Sequence, residues 1–370
     1  MTYCFAWKYQ DAVFLIADTL VTQGAPAPAD RPATSTGEPH RQVGENKFVH
    51  ERLLKFRALK AGIAVAIAGD VQLALGITDF MEDHVGTVES AADLLPKVEA
   101  SFGPFDPRRQ VQLLIIQGTR DGGTAITKWD TQGGRDDTAH YAYIGSMPTE
   151  QAERMADLFR RLIADRQPSK RAMLLAGMAF VQSLSKHEDL IEKYVGGVVC
   201  GLRVQRARTI WPGDLVIVHH RDDMTSVDGR ISVHAREGIV CLNSTYHGRI
   251  GTVLVNKHET VHMGKLQQAW SKRWVPYLKD YLSKHFTTCV RWLFINLDRQ
   301  APLVFVVHGR LDRASKHLRI TKRPRGGYDF TFDSELAEML QRRAPSDAPD
   351  LRILEAIDPS QPLPNGMVQK

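Results

Sequence analysis

The chain has 370 residues, 43% of them hydrophobic and 24% charged, with a formal net charge of +6. This is the composition of a soluble globular protein with enough chain for two hydrophobic cores. Cys4, Cys200, Cys241 and Cys289 form no C-x-x-C spacing and suggest neither a disulfide framework nor a cysteine zinc site, and no apolar run approaches the ~18 residues of a membrane span.

Residues 3–8 and 13–18 read as two strands around a turn at Tyr9, Gln10 and Asp11. The second is a nearly continuous apolar run, as expected of a strand buried on both faces. Residues 24–45 hold Pro26, Pro28, Pro32 and Pro39 among small polar residues and read as a long surface loop. Residues 53–59 and 63–68 form a hairpin turning at Lys60, Ala61 and Gly62. A helix runs from Gly69-Asp70 to residue 85, and a second covers 90–102.

Strands follow at 111–116, 124–129 and 141–145, helices at 149–165 and 170–185, and strands at 196–206 and 214–219. Strands, two helices, strands, two helices, strands is an α+β order. It suits two central sheets with helices outside them, a four-layer αββα sandwich, better than a doubly wound sheet. This domain is expected over residues 1–222, with 22–46 as a Pro-rich loop insertion.

A smaller α/β domain is expected over residues 223–343. Its strands are placed at 230–235, 238–242, 251–255, 290–296, 303–308 and 328–332. One amphipathic helix is expected at 265–285, with Leu266, Trp270, Trp274, Tyr277 and Leu282 as its core face, and another near 334–343. Residues 344–370 read as a mobile tail. Charge divides with the domains. Met1 to Cys200 holds 22 Lys and Arg against 25 Asp and Glu, whereas Gly201 to Arg343 holds 24 against 13. A basic half can attract nucleic acid or an acidic partner, but with no nucleic-acid motif it is read first as a solvated basic surface.

Thr2 is small enough for Met1 to be removed. That would leave a hydroxyl beside a free α-amine. A hydroxyl needs an adjacent base to act as a nucleophile, and an α-amine titrating near ~8 is one. The segment Tyr9-Gln10-Asp11-Ala12-Val13-Phe14-Leu15-Ile16-Ala17-Asp18-Thr19-Leu20-Val21-Thr22 resembles the opening of proteasome β subunits and their bacterial relatives HslV and Anbu, which are N-terminal-nucleophile (Ntn) hydrolases. Asp18 stands sixteen positions after Thr2, where that family has its acidic residue. Lys55, the short turn, and Ile63 through Ala68-Gly69-Asp70 match its third and fourth strands. Ile144-Gly145-Ser146 and Glu192-Lys193-Tyr194-Val195-Gly196-Gly197 resemble two later segments, with Val195 in place of the usual serine and Glu192 in place of aspartate. The resemblance covers residues 2–220.

The resemblance implies a threonine peptidase. Thr2 Oγ attacks the carbonyl. Lys55 lowers the pKa of the α-amine and stabilises developing negative charge, and Asp18 pairs with Lys55. Gly69 is the candidate for the oxyanion N–H, a role worth roughly 3–4 kcal/mol. Ser146 orients the amine, and Glu192 supports the site. Lys47, in a Glu-Asn-Lys stretch, competes with Lys55, but the apolar alternation after Lys55 fits the hairpin better. The resemblance further implies a peptide or unfolded-protein substrate and a homo-oligomer; an ATP-dependent unfoldase is an open partner, and no cofactor is expected. The N-terminus is too short and polar for a signal peptide, so the cytoplasm is expected. A small-molecule amide hydrolase or a non-catalytic assembly subunit are the alternatives on the same fold.

One competing motif remains. His258-Glu259-Thr260-Val261-His262 is an H-E-x-x-H string, which on a helix binds zinc through His258 and His262 with Glu259 as base. Two β-branched residues and Gly264 make a poor helix. The string is read as continuing a strand, with the metal site as the alternative.

Overall fold

The computed structural model describes residues 3–24, 34, 36, 42–43, 47–51, 53–138, 140–146, 148–166, 169–187, 190–212, 215–220, 227–236, 239–246, 249–256, 289–296, 303–310, 318–322, 328–332 and 352–356. The H-E-x-x-H string, Thr2 and the helices expected at 265–285 and 334–343 lie outside them. The architecture is α+β, built mainly from antiparallel pairs.

The elements before residue 211 are, in chain order, β1 (Tyr3–Tyr9), β2 (Ala12–Ala17), β3 (Leu20–Gln23), β4 (Phe48–Glu51), β5 (Phe56–Lys60), β6 (Ile63–Gly69), α1 (Val71–His84), α2 (Leu95–Phe102), β7 (Val111–Gly118), β8 (Thr124–Asp130), β9 (Gly134–Thr138), β10 (Tyr141–Gly145), α3 (Thr149–Arg166), α4 (Lys170–His187), β11 (Cys200–Gln205) and β12 (Arg208–Ile210). They make two five-stranded sheets, ordered β10-β1-β2-β11-β12 and β5-β6-β7-β8-β9, and the small pair β3-β4.

Side-chain size sets how these layers stack. On β6, Ala64, Ala66 and Ala68 face the core shared with β1 and β2, whereas Ile63, Val65 and Ile67 face the core shared with α1 and α2. Alternation on a strand sends successive side chains to opposite faces. The alanine face lets the two sheets approach, and the branched face fills the space under the helices. Leu114 and Ile116 of β7 continue the first core, and Val111, Leu113 and Ile115 the second.

Local signals set the turns. Gln10, at φ 55°, turns the β1–β2 hairpin in the left-handed region that tight hairpins require. Asp70 caps α1 by accepting from Leu73 N at 2.9 Å, and Arg109 Nε holds the other Asp70 oxygen at 2.9 Å. Gly69 precedes the cap at φ +97°. A Cβ there would lie 2.1 Å from the Gln110 carbonyl oxygen, so only glycine fits.

The later strands are β13 (Leu215–His220), β14 (Val227–Arg236), β15 (Ile239–Tyr246), β16 (Arg249–Asn256), β17 (Cys289–Asn296), β18 (Leu303–Arg310), β19 (Leu318–Lys322), β20 (Tyr328–Phe332) and β21 (Arg352–Ala356). Seven of them form one sheet, ordered β16-β15-β14-β13-β17-β18-β21, with parallel pairs β13–β17 and β18–β21. Two boundaries expected from sequence differ here. β13, expected inside the domain ending at 222, pairs in the second-half sheet, because an apolar run such as Leu-Val-Ile-Val says that a strand is buried and not which sheet takes it. Residues 352–356, expected in a mobile tail, pair with β18. Their Arg-Ile-Leu-Glu-Ala segment lies among Pro and Asp residues that dominate the composition around it.

Helix α4 explains the join. It is buried on nearly every side, from Ala172 to Ser185, as befits a helix apolar all round. One face meets β2 and β11, and another meets β17, β18 and β21. Leu215, Ile217, Leu293 and Ile295 belong to the same core as Leu174, Leu175 and Val181.

Strands β3, β4, β9, β12 and β19 are absent from the sequence reading. β9 carries Arg135, Asp136 and Asp137 on an exposed edge, where charge replaces apolar alternation.

Candidate active site

Asp18 follows β2 directly and is fully buried. Its carboxylate is surrounded by donors. Oδ1 accepts from Tyr3 N at 2.9 Å and from Lys55 Nζ at 2.7 Å. Oδ2 accepts from Gly196 N at 3.1 Å and from Leu20 N at 3.3 Å. Lys55, immediately before β5, is 1% exposed, so the two charges form an ion pair shielded from water. A charge so buried requires this compensation. Lys47, the competing lysine, is exposed.

Backbone contacts set the pair in place. Asp18 N donates to Tyr3 O at 3.2 Å, and Ile67 N donates to Lys55 O at 2.8 Å, which ties the lysine to β6. Cys4 packs beside them, with Sγ 3.6 Å from the Ile67 carbonyl. Burial pushes its thiol pKa up against the opposing pull of Lys55.

The segment 195–199 closes the other side of Asp18. It is buried yet irregular, so its backbone groups need side-chain partners. Gly196 N goes to Asp18. Gln182 Nε2 donates to Gly197 O at 2.9 Å, and Val199 N donates to Gln182 Oε1 at 2.9 Å. Val198 N donates to Glu51 Oε1 at 2.6 Å. The Thr19 hydroxyl lies 2.7 Å from Glu51 Oε1 and 2.9 Å from the Val198 carbonyl, two acceptors for one proton. Gly197 sits at φ +72°, and a Cβ there would meet Thr19 Oγ1 at 2.7 Å.

The remaining expected positions are spread around this centre. Gly69 ends β6. Gly145 pairs with Tyr3 across β1 and β10, so Ser146 lies just beyond the described end of that pair. The Ser146 hydroxyl donates to the Lys193 carbonyl at 2.9 Å. Glu192 is exposed on the single 3-10 turn Leu190–Lys193. Val195 is buried, its N–H donating to Leu190 O at 3.0 Å. Besides Asp18, the buried acid of this corner is therefore Glu51 and not Glu192.

Glu51, Thr19 and Gln182 are absent from the sequence reading. Gln182 had a visible signal, since an amide amid the apolar run of α4 must find polar partners. Glu51 had none, because its strand is only four residues long and no periodicity sets it apart. Among the described residues no group of three or more His, Cys, Asp or Glu is placed to hold a metal ion, and no helix is long and apolar enough to cross a membrane.

No protein family matches the chain, and no curated protein matches it. Among solved structures it is similar to eukaryotic HslV from Trypanosoma brucei, at 13% identity and a TM-score of 0.39, over 55% of this chain and 99% of that one.

Proposed function

We propose that the chain is an N-terminal-nucleophile hydrolase acting as a threonine peptidase, with Thr2 as nucleophile once Met1 is removed. The observation that carries this reading is the Asp18 Oδ1 atom, which receives Lys55 Nζ at 2.7 Å and Tyr3 N at 2.9 Å. Thr2 is bonded to that same Tyr3 nitrogen. A buried lysine and the amide nitrogen that follows the proposed nucleophile thus share one carboxylate oxygen.

In the proposed reaction the α-amine of Thr2 takes the hydroxyl proton as Oγ attacks a peptide carbonyl. The C–N bond breaks, the leaving amine receives the proton, and an ester to Thr2 remains. Water, deprotonated by the same amine, hydrolyses the ester and restores the site. Lys55 stabilises negative charge near Oγ, and Asp18 keeps its ammonium in place. Gly69, whose backbone turns where no side chain fits, is the proposed source of the oxyanion N–H. Ser146, which directly follows the residue paired with Tyr3, is the proposed residue that orients the amine.

The two five-stranded sheets, with α1 and α2 against one and α4 against the other, support a four-layer αββα arrangement for the hydrolase unit. A homo-oligomeric, cytoplasmic protease fed by an ATP-dependent unfoldase belongs to the same proposal, with the basic second half as the surface for an acidic partner.

The test is the intact mass of the purified protein with and without a peptide epoxyketone, beside a Thr2→Ala control. That warhead closes its ring only on a hydroxyl next to a free α-amine. Loss of Met1 together with an adduct missing from the control is the expected result. Retained Met1 on the folded protein overturns the mechanism.

A further inference from the structure

On the face of the first sheet that looks at α4, the start of that helix meets β11 and β12. Here Arg171, Leu174, Arg203, Ile210, Trp211 and Pro212 line a small pocket, part of it open to solvent. The placement follows from strand alternation. A Cβ on Gly201 would touch Leu174 Cδ1 at 3.0 Å, so Arg203, two residues on, presents its side chain to the same helix. Arg171 stands one helical turn before Leu174 and reaches the same opening.

Two cationic side chains therefore share one small pocket. Neither makes an ion pair among the described residues. Arg203 Nε is buried and has no hydrogen-bond partner. The acid beside them, Asp11, is already engaged by Lys170, by Gln205 Nε2 at 3.1 Å and by Arg206 Nε at 3.1 Å. Burial first, and the Arg171 charge second, disfavour the charged form of Arg203. A buried donor without an acceptor and two facing like charges are both destabilising. An oxyanion relieves both at once, since a guanidinium offers Nε and Nη to a carboxylate or phosphate as a matched pair of donors.

The rest of the wall is apolar and fixed. The Trp211 ring stacks on Phe56, with centroids 5.6 Å apart and planes 29° apart. The enclosed space is small, so it takes the charged head of a small molecule, with the rest of the ligand lying across the open mouth.

We propose that this pocket binds a small oxyanion, a carboxylate or a phosphate, between the Arg171 and Arg203 guanidiniums, with the apolar body of the ligand against Trp211 and Ile210. The site is separate from the Asp18–Lys55 centre and does not depend on its chemistry.

The test is calorimetric titration of the full chain at low salt with two probes, sodium benzoate and inorganic phosphate, each taken to millimolar concentrations. Saturable one-site binding of at least one probe is expected, weakened about tenfold or more by Arg171→Gln and by Arg203→Gln. Trp211→Phe should weaken benzoate more than phosphate. Binding of benzoate alone identifies a carboxylate ligand, and of phosphate alone a phosphate ligand. Should Arg203→Gln fail to fold, the exposed Arg171→Gln decides the matter. Saturation by neither probe, or unchanged affinity in Arg171→Gln, overturns the proposal.

Discussion

Tyr3 and Asp18 hold each other twice. The Asp18 amide donates to the Tyr3 carbonyl at 3.2 Å, and the Tyr3 amide donates to the Asp18 carboxylate at 2.9 Å. The first described residue of the chain is thereby fixed against the buried ion pair. All four groups around the Asp18 carboxylate are donors, so an amide in its place would bring an NH₂ against N–H or ammonium groups whichever way it turned. Asp18→Asn should cost about 3–5 kcal/mol of stability, as for other broken buried pairs, and on the proposed function it should abolish the peptidase activity. Pairing it with Lys55→Met should recover part of the loss. Urea denaturation of the two single variants and the double variant measures this coupling, and simple additivity would count against it.

Glu51 is expected to matter for order in segment 195–199. Glu51→Ala leaves Val198 N–H without its acceptor, a cost of about 1–3 kcal/mol. Hydrogen exchange should show Gly196 to Val199 opening well before the core strands. Protection equal to wild type there would mean that Glu51 does not anchor the segment.

Gly69→Ala tests the turn before α1. The substitution meets the Gln110 carbonyl and demands a positive φ from a residue with a Cβ, so a loss above about 1 kcal/mol is expected. A thermal midpoint within a degree of wild type would contradict that geometry.

Acid stability should depend on Asp11. Hydrogen bonds from Lys170 first, and then Gln205, bring its pKa down to about 2. A carboxyl held below its unfolded value adds stability that is complete above a pH of about 4 and is lost as pH falls toward 2. The difference in thermal midpoint between wild type and Asp11→Asn should therefore shrink over that interval. A constant difference from pH 5 to pH 2 would rule this linkage out.

Cys4 and Cys200 are buried, and burial pushes both thiols far above their ordinary pKa. In the native protein at pH 8 neither should react with a thiol reagent at a measurable rate, and both should react in urea. Peptide-level mass spectrometry after brief labelling gives the answer, and rapid native labelling of Cys4 would show that the Asp18–Lys55 corner opens to solvent.

Much of this architecture is legible in residue order because its causes are local. Hairpin turns at Gln10 and Gly62, the Asp70 cap and the apolar runs of β2, β6 and β7 each depend on a few neighbouring side chains and their alternation. Asp18 and Lys55 could be named as partners before any coordinates only because their segments resemble a known family, while the hairpin after Lys55 favoured it over Lys47. What the tertiary structure alone decided is which distant groups meet. Glu51, rather than Glu192, is the second buried acid, because β3 and β4 pair across the Pro-rich loop and carry it under Val198. β13 takes its place between β14 and β17 of the second-half sheet, and that sheet covers the apolar face of α4 that β2 and β11 leave open. Burial of an unpaired polar group is costly, yet the partner that offsets it can come from anywhere in the chain. Residue order records the need, and only packing chooses who meets it.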